Sequence, residues 1–384
     1  MTSTDWQTSI TVYRSFREYR RFACAVVIPA MNEERRIDAC LSALHQQSGM
    51  DRSSVLVVII ANNCTDGTVQ VAQSIIEKTG LPALIIEAVV SRSEGVGRAR
   101  SLGIDHAMPY LQERGNVLTT DADCLVDHRW IARSMRALDS MDAVCGLVKP
   151  LAGEVIELPV EIHTPGKLEH DYWEVSLEYD AIVDPDPHNP WPHHGRAAGA
   201  SLGFTRTAYR RSKGFAPIPS GEDRELISRM ASSGYRIRYA SDVLVEASCR
   251  LQGRAPDGMA CALARRVADL DSLVDEALEP AHTRIRRVTG RVQCRELLDA
   301  GCSLEPLLRA LSIDPGIAPP GMDTCAAWWH WIERHSSVLE RVRLRPSELS
   351  LEIARLKKAV TLARQSHLTA ARHAVQQGPC APAN

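Results

Sequence analysis

Asp121 and Asp123 follow a short apolar run, Val117-Leu118-Thr119-Thr120. Side chains of a strand alternate with period two, so two acids spaced in this way point to one side at a strand end. Ligands of open α/β sheets gather at the carboxyl ends of strands, which places such a pair where it can face one hard cation. Mg2+ or Mn2+ takes oxygen ligands and keeps several positions for water and phosphate oxygens, so two carboxylates are enough. The remaining ligands would come from a nucleotide. Alone, an Asp-x-Asp reads equally as a solvated turn or a helix cap, and its weight comes from the residues around it.

Gly95-Val96-Gly97-Arg98-Ala99-Arg100 sets two arginines on a glycine-loosened turn before a helix. Backbone N–H groups and guanidinium forks suit phosphate there; two solvated surface arginines are the plainer alternative. Gly221-Glu222-Asp223 opens a later helix, where acids also oppose the macrodipole without any chemistry. Arg250 and Arg254 either reach a diphosphate or lie on the surface. His193 and His194 could be ligands, although loop histidines are commonly exposed. Trp328, Trp329 and Trp331 could stack on a sugar or lipid, but three tryptophans on a helix more often fill a core. Neither the histidines nor the tryptophans are counted in the site.

The elements that must position these residues alternate. Ala23 to Ile28 is a continuous apolar run closed by Pro29, the pattern of a buried parallel strand, and Ile37, Leu41 and Leu44 then recur at helical spacing. Val55 to Ile60 begins a second unit, interrupted at Asn62-Asn63-Cys64-Thr65-Asp66-Gly67, where Thr65 or Asp66 can cap the following helix. Leu84 to Val90 is a third strand, and a fourth delivers Asp121 and Asp123. Such alternation implies an α/β fold with a mostly parallel, doubly wound, Rossmann-like sheet. Lys167 to Val183 reads as an amphipathic helix, Ala197 to Phe204 as a small-residue strand, and the chain beyond Asp257 as an all-helical region. The organisation expected is an N-terminal extension over 1–22, an α/β domain over 23–258 in two halves (23–145 and 146–258), and helices over 259–384. Leu349, Ile353, Leu356 and Val360 form one apolar stripe on the last helix, fit for a core contact or a homodimer seam.

With 384 residues the chain can bury a large core, and a formal charge of −2 gives no bulk attraction to a polyanion, so nucleic acid is not an expected partner. No stretch has the length and apolarity of a membrane span. Eleven cysteines are scattered without Cys-x-x-Cys spacing, which fits reduced thiols in a cytoplasm, with work at the inner membrane face left open.

Taken together these segments resemble the family 2 glycosyltransferases of GT-A fold, from Ala23 to about Arg254, which implies a catalytic domain over 23–258 with a nucleotide-sugar half over 23–145 and an acceptor half over 146–258. Val27-Ile28-Pro29-Ala30-Met31-Asn32-Glu33 is similar to the opening loop that lies against the nucleotide. Asn62-Asn63-Cys64-Thr65-Asp66-Gly67-Thr68 stands where the family has Asp-Asp-x-Ser-x-Asp-Gly-Thr, with Asn62 replacing an acid that commonly partners the base. Glu94 to Ser101 resembles the Gly-x-x-x-Ala-Arg-Asn turn, Asp121-Ala122-Asp123 the metal motif, and Glu222-Asp223 the later Glu-Asp. The resemblance implies a nucleotide-diphosphate sugar donor held through Pro29, Met31, Glu33, Asn62, Asp66, Arg98, Arg100, Asp121 and Ala122. It further implies Mg2+ or Mn2+ on Asp121 and Asp123, with Glu222, Arg250 and Arg254 towards the acceptor or the diphosphate. An acceptor hydroxyl, on a glycan, lipid or small molecule, is too weak an acid to react unaided, so Asp223 is expected to take its proton, with inversion at the anomeric carbon.

Two rivals use the same residues. A haloacid dehalogenase-type phosphatase employs the first acid of an Asp-x-Asp as nucleophile, here Asp121, but that motif normally opens its domain, whereas three β/α units precede it here. A catalytically silent sugar-nucleotide binder would hold donor without turnover.

Overall fold

The apolar runs pair as one mixed nine-stranded sheet in the computed structural model, which describes residues 11–17, 19–155, 157–253 and 258–376, with side chains described to residue 366. In chain order the strands are β1 (Thr11–Arg14), β2 (Phe22–Ala30), β3 (Val55–Asn62), β4 (Ala83–Ala88), β5 (Leu111–Thr119), β6 (Cys124–Val126), β7 (Ala143–Pro150), β8 (Leu202–Thr205) and β9 (Ile237–Ala247). Their spatial order is β1-β4-β3-β2-β5-β8-β7-β9-β6. The run β4-β3-β2-β5 is parallel throughout, and β7 pairs parallel to β9, while β1, β8 and β6 enter antiparallel.

Both faces of the parallel half are covered, which is why its strands are apolar without alternation. Cys24, Val26 and Ile28 of β2 face one layer, with α1 (Ile37–His45), α2 (Thr68–Thr79) and α4 (Trp130–Leu138) supplying Leu41, Ile76 and Trp130. On the opposite face Ala25 and Val27 meet Ala99 and Ile104 of α3 (Gly95–Ala107). Each fully buried aliphatic side chain contributes about 1.5–3 kcal/mol relative to exposure, so this two-sided burial holds β2 and β5 at the centre.

The chain divides into two compact units, Met1–Leu158 with His194–Arg265, and Pro159–His193 with Arg266–Asn384. The sheet lies in the first, together with the short α5 (Ala152–Val155). The second contains α6 (His163–Val183), so the segment 159–193 groups with the C-terminal helices and not with the sheet that flanks it in sequence. The first unit adds α7 (Arg206–Arg211) and α8 (Glu222–Ser232), and α9 (Met259–Ala268) follows β9. The second unit continues with α10 (Ala281–Asp299), α11 (Glu305–Ala310), α12 (Cys325–His335) and α13 (Pro346–Gln376).

In the second unit Leu349, Ile353, Leu356 and Val360 pack against Tyr172, Val175 and Tyr179, so the stripe on α13 is an internal core seam. Trp329 is likewise buried, with Trp328 and Trp331 packed at the edge of the same cluster. The segment 11–14, expected as part of an extension, adds a strand beside β4. No helix among the described residues is long and apolar enough to cross a membrane.

Candidate active site

β5 ends at Thr119, so Asp121 and Asp123 sit on the turn that leads into β6, closed by the Cys124 N–H donating to the Asp121 carbonyl at 3.1 Å. Their convergence comes from this turn and not from strand alternation. Carboxylate oxygens of Asp121 and Asp123 and the Cys124 sulfur all lie within 4.8 Å of one another. Burial holds the Cys124 thiol far above its ordinary range, and a neutral thiol is a poor ligand for a hard cation, so the two carboxylates are the donors that fit. Burial, then the neighbouring Asp121, pushes the Asp123 carboxyl up to about 6.

Each acid of the pair meets an arginine that binds a second acid. Arg100, on the second turn of α3, donates from one Nη to Asp121 at 2.5 Å and from the other to Glu222. Burial works against its charge, but Asp121, Glu222 and Asp223 outweigh this and hold it protonated. The guanidinium lies 5.9 Å from the Phe215 ring centre and against the Cα of Gly199, where a Cβ would come within 2.4 Å of it. Any side chain at 199 would therefore displace Arg100. Gly199 also donates its N–H to Asp223 Oδ2 at 2.8 Å and receives the Thr119 hydroxyl on its carbonyl at 2.7 Å, tying the end of β5 to the start of α8.

Arg250, just beyond β9, grips Glu33 with both Nη atoms at 2.6 and 2.8 Å and reaches Asp123 at 2.9 Å. Its loop is fastened by Glu154 of α5, which accepts from the Cys249 N–H at 2.7 Å, from the Ser248 hydroxyl at 2.8 Å and from Arg36 at 2.5 Å. Among the described residues, Asp121, Asp123, Glu33, Glu222 and Asp223 thus gather around Arg100 and Arg250, an acid-rich cluster at the point where the Asp121 and Asp123 oxygens converge. The oxygen donor set fits Mg2+ or Mn2+.

The other expected residues are distributed unevenly. Pro29 is buried in β2 and Ala122 in the turn, whereas Met31 is half-buried on the loop after β2. The Asn62 side-chain oxygen Oδ1 accepts from the Asn63 side-chain Nδ2 at 3.0 Å. Asp66 receives the Thr68 and Glu34 N–H groups at 3.1 and 3.2 Å, closing the loop before α2. Arg98 is exposed, 3.8 Å from Glu94 and apart from the cluster, while Arg100 is buried inside the helix face and not on an exposed turn. Glu222 is likewise buried onto Arg100. Arg254 lies outside the described residues. His194 accepts the Arg196 N–H at 3.2 Å and bonds the Cys145 carbonyl at 3.0 Å, a structural arrangement. Gly199, Thr119, Glu154 and Arg36 enter the network without having been singled out; only the small-residue run around Gly199 carried a signal.

Residues 25–170 match the family model described as Glycosyl transferase family 2, and this part of the chain is a family 2 glycosyltransferase domain. Among the proteins it is similar to is Glycosyltransferase AglE of Haloferax volcanii, 25% identical over 228 residues covering 57% of this chain and 65% of that protein, so the chain spans just under two thirds of this relative's length. Similar solved structures include the mannosyltransferase PcManGT from Pyrobaculum calidifontis in complex with GDP-Man and Mn2+, 17% identical, covering 92% of this chain and 81% of that one, with a TM-score of 0.44. Another is S. aureus TarS 1-349 in complex with UDP-GlcNAc, 16% identical, covering 90% and 92% of the two chains, also at 0.44.

Proposed function

We propose that the protein is a metal-dependent, inverting glycosyltransferase that moves a sugar from a nucleotide-diphosphate donor to an acceptor hydroxyl. The observation that carries this reading is the convergence of the Asp121 and Asp123 carboxylate oxygens inside an acid-rich cluster at the end of β5. A Mg2+ or Mn2+ ion held there would stabilise the charge that develops on the departing diphosphate. Asp121 and Asp123 hold that ion through oxygens already converged by the turn after β5. Arg100 orients Asp121 and shields Glu222, which makes it a positioning residue in this scheme and leaves diphosphate contact to Arg250 and the loop after β2. Asp223, oriented through one oxygen by the Gly199 N–H, takes the proton of the acceptor hydroxyl as that oxygen attacks the anomeric carbon. No protein nucleophile intervenes, so the configuration inverts.

In this reading the nucleotide half of the domain spans 23–145, and Pro29, Met31, Asn62 and Asp66 belong to the donor side. The test is calorimetric titration of UDP-, GDP- and dTDP-sugars with Mn2+, followed by transfer assays on the donor that binds. Transfer that persists unchanged in Asp223→Asn contradicts the assignment of the base.

A further inference from the structure

The second unit carries a pair of thiols that takes no part in the site above. Cys294 lies on α10, fully buried, and Cys325 is the first residue of α12, half-exposed. The two helices interlock one turn away, where Gly290 admits the Trp329 ring so closely that a Cβ would come within 2.8 Å of it. At this crossing the Cys325 sulfur lies 3.8 Å from the carbonyl of Arg291, the residue one turn before Cys294, which brings the two thiols near enough to influence each other's protonation. Arg291 and Arg295 flank the pair, both drawn in by the buried Asp184. Thr324 caps α12 by accepting the Ala327 N–H at 3.2 Å, so Cys325 occupies the N-terminal turn of an eleven-residue helix.

We infer that Cys325 and Cys294 form a hydroperoxide-responsive dithiol, with Cys325 as the sulfur that is oxidised and Cys294 as the thiol that resolves it to a disulfide. The asymmetry of the pair sets these roles. Helix N-termini and adjacent arginines favour a thiolate, and exposure admits the oxidant. The neighbouring Cys294 thiol and then the Arg295 charge lower Cys325 to about 7 against the opposing effect of burial, while the Cys325 thiol and burial raise Cys294. The Cys325 thiolate attacks one peroxide oxygen, the O–O bond breaks, and the leaving hydroxide or alkoxide is protonated to water or alcohol. Cys294 sulfur then attacks the sulfenic sulfur, the S–O bond breaks, and the departing hydroxide leaves as water with the Cys294 proton. Two thiols are oxidised and one hydroperoxide is reduced. The other buried thiols, Cys24, Cys40, Cys124, Cys145 and Cys249, lie in the other unit, and Cys302 is exposed.

The test uses the reduced full-length chain, exposed to hydrogen peroxide, alkylated, digested without reductant and read by mass spectrometry. The expected result is a loss of two alkylatable thiols and one cross-linked peptide pair joining Cys294 to Cys325, reversed by dithiothreitol. In Cys294→Ser the oxidation should stop at a Cys325 sulfenic acid that a cyclic 1,3-dione captures, with no cross-link. Recovery of Cys294 and Cys325 as separately alkylated peptides while Cys302 is oxidised would overturn the inference. So would a dione adduct on Cys302 and none on Cys325 in the variant.

Discussion

Arg100 and Glu222 allow a quantitative test of how the site is held. Their side chains are 4% and 3% exposed, whereas Asp121, the other partner of Arg100, is 33% exposed and can regain water. Two unit charges about 4 Å apart attract by about 4 kcal/mol at an effective permittivity of about 20. Removing one member of a buried pair costs about 3–5 kcal/mol, because the survivor stays charged and dry. Arg100→Met keeps a similar apolar stem between Gly199 and Phe215 and leaves Glu222 without its cation, so its cost should fall in that range. Burial already raises the Glu222 carboxyl with Arg100 opposing it, and Glu222 should then fold in its neutral form, which trims the loss towards the lower end. Glu222→Gln leaves Arg100 paired with Asp121 and should cost about 1–2 kcal/mol. The double variant should be no worse than Arg100→Met alone, giving a coupling energy of about 1–2 kcal/mol. The assay is urea unfolding read by hydrogen exchange in peptides covering β2 to β5, which isolates the first unit from the helical one. Additivity of the two single changes to within about 0.5 kcal/mol would refute the claim that the pair acts as one buried unit.

Three further outcomes follow from the same geometry. Asp223→Asn should retain donor affinity and lose transfer by about 10²–10⁴-fold, as expected for a lost general base, measured as binding by calorimetry beside turnover; equal losses in both would indicate a merely structural role. Arg250→Ala removes a cation 2.9 Å from Asp123 and should tighten binding of free Mn2+ by roughly tenfold or more, since a dication and a unit charge about 4 Å apart repel by about 2 kcal/mol even in bulk water; donor affinity should fall at the same time, and weaker Mn2+ binding would contradict this. Asp184 is buried, which alone would raise it, but Arg291 and Arg295 prevail and hold its carboxyl below the ordinary 3.8. The pair therefore contributes stability above that value and loses it as pH falls through the depressed one, so Asp184→Asn should lower the melting temperature at pH 7, with a gap that closes in acid. A gap of constant size would contradict the linkage.

How much of this was legible depended on the range of the interactions. The parallel strands were, because burial on two faces writes a continuous apolar run such as Val55–Ile60, and so was the order of acidic and basic motifs. The convergence of Asp121 and Asp123 was anticipated through strand periodicity, yet it is made by the turn after Thr119. Arg100 looked solvent-facing because a guanidinium after two glycines suits an exposed turn. Its burial depends on Gly199 and Glu222, about a hundred residues away or more, and no local pattern records that pairing. The same holds for Arg36 and Glu154, and for the segment 159–193, whose grouping with the C-terminal helices is set by tertiary contacts alone. The stripe on α13 showed an apolar face without naming its partner, which proved to be α6 of the same chain.

The central claim is that Asp121 and Asp123 hold a divalent cation together with a nucleotide diphosphate. Calorimetric titration of UDP and GDP into the protein, with Mn2+ and again with a chelator, measures it most directly. Saturable binding of one of them that requires Mn2+ in the parent chain and disappears in Asp123→Ala is the predicted result. Nucleotide binding of equal strength in the presence of chelator, or in Asp123→Ala, would contradict it.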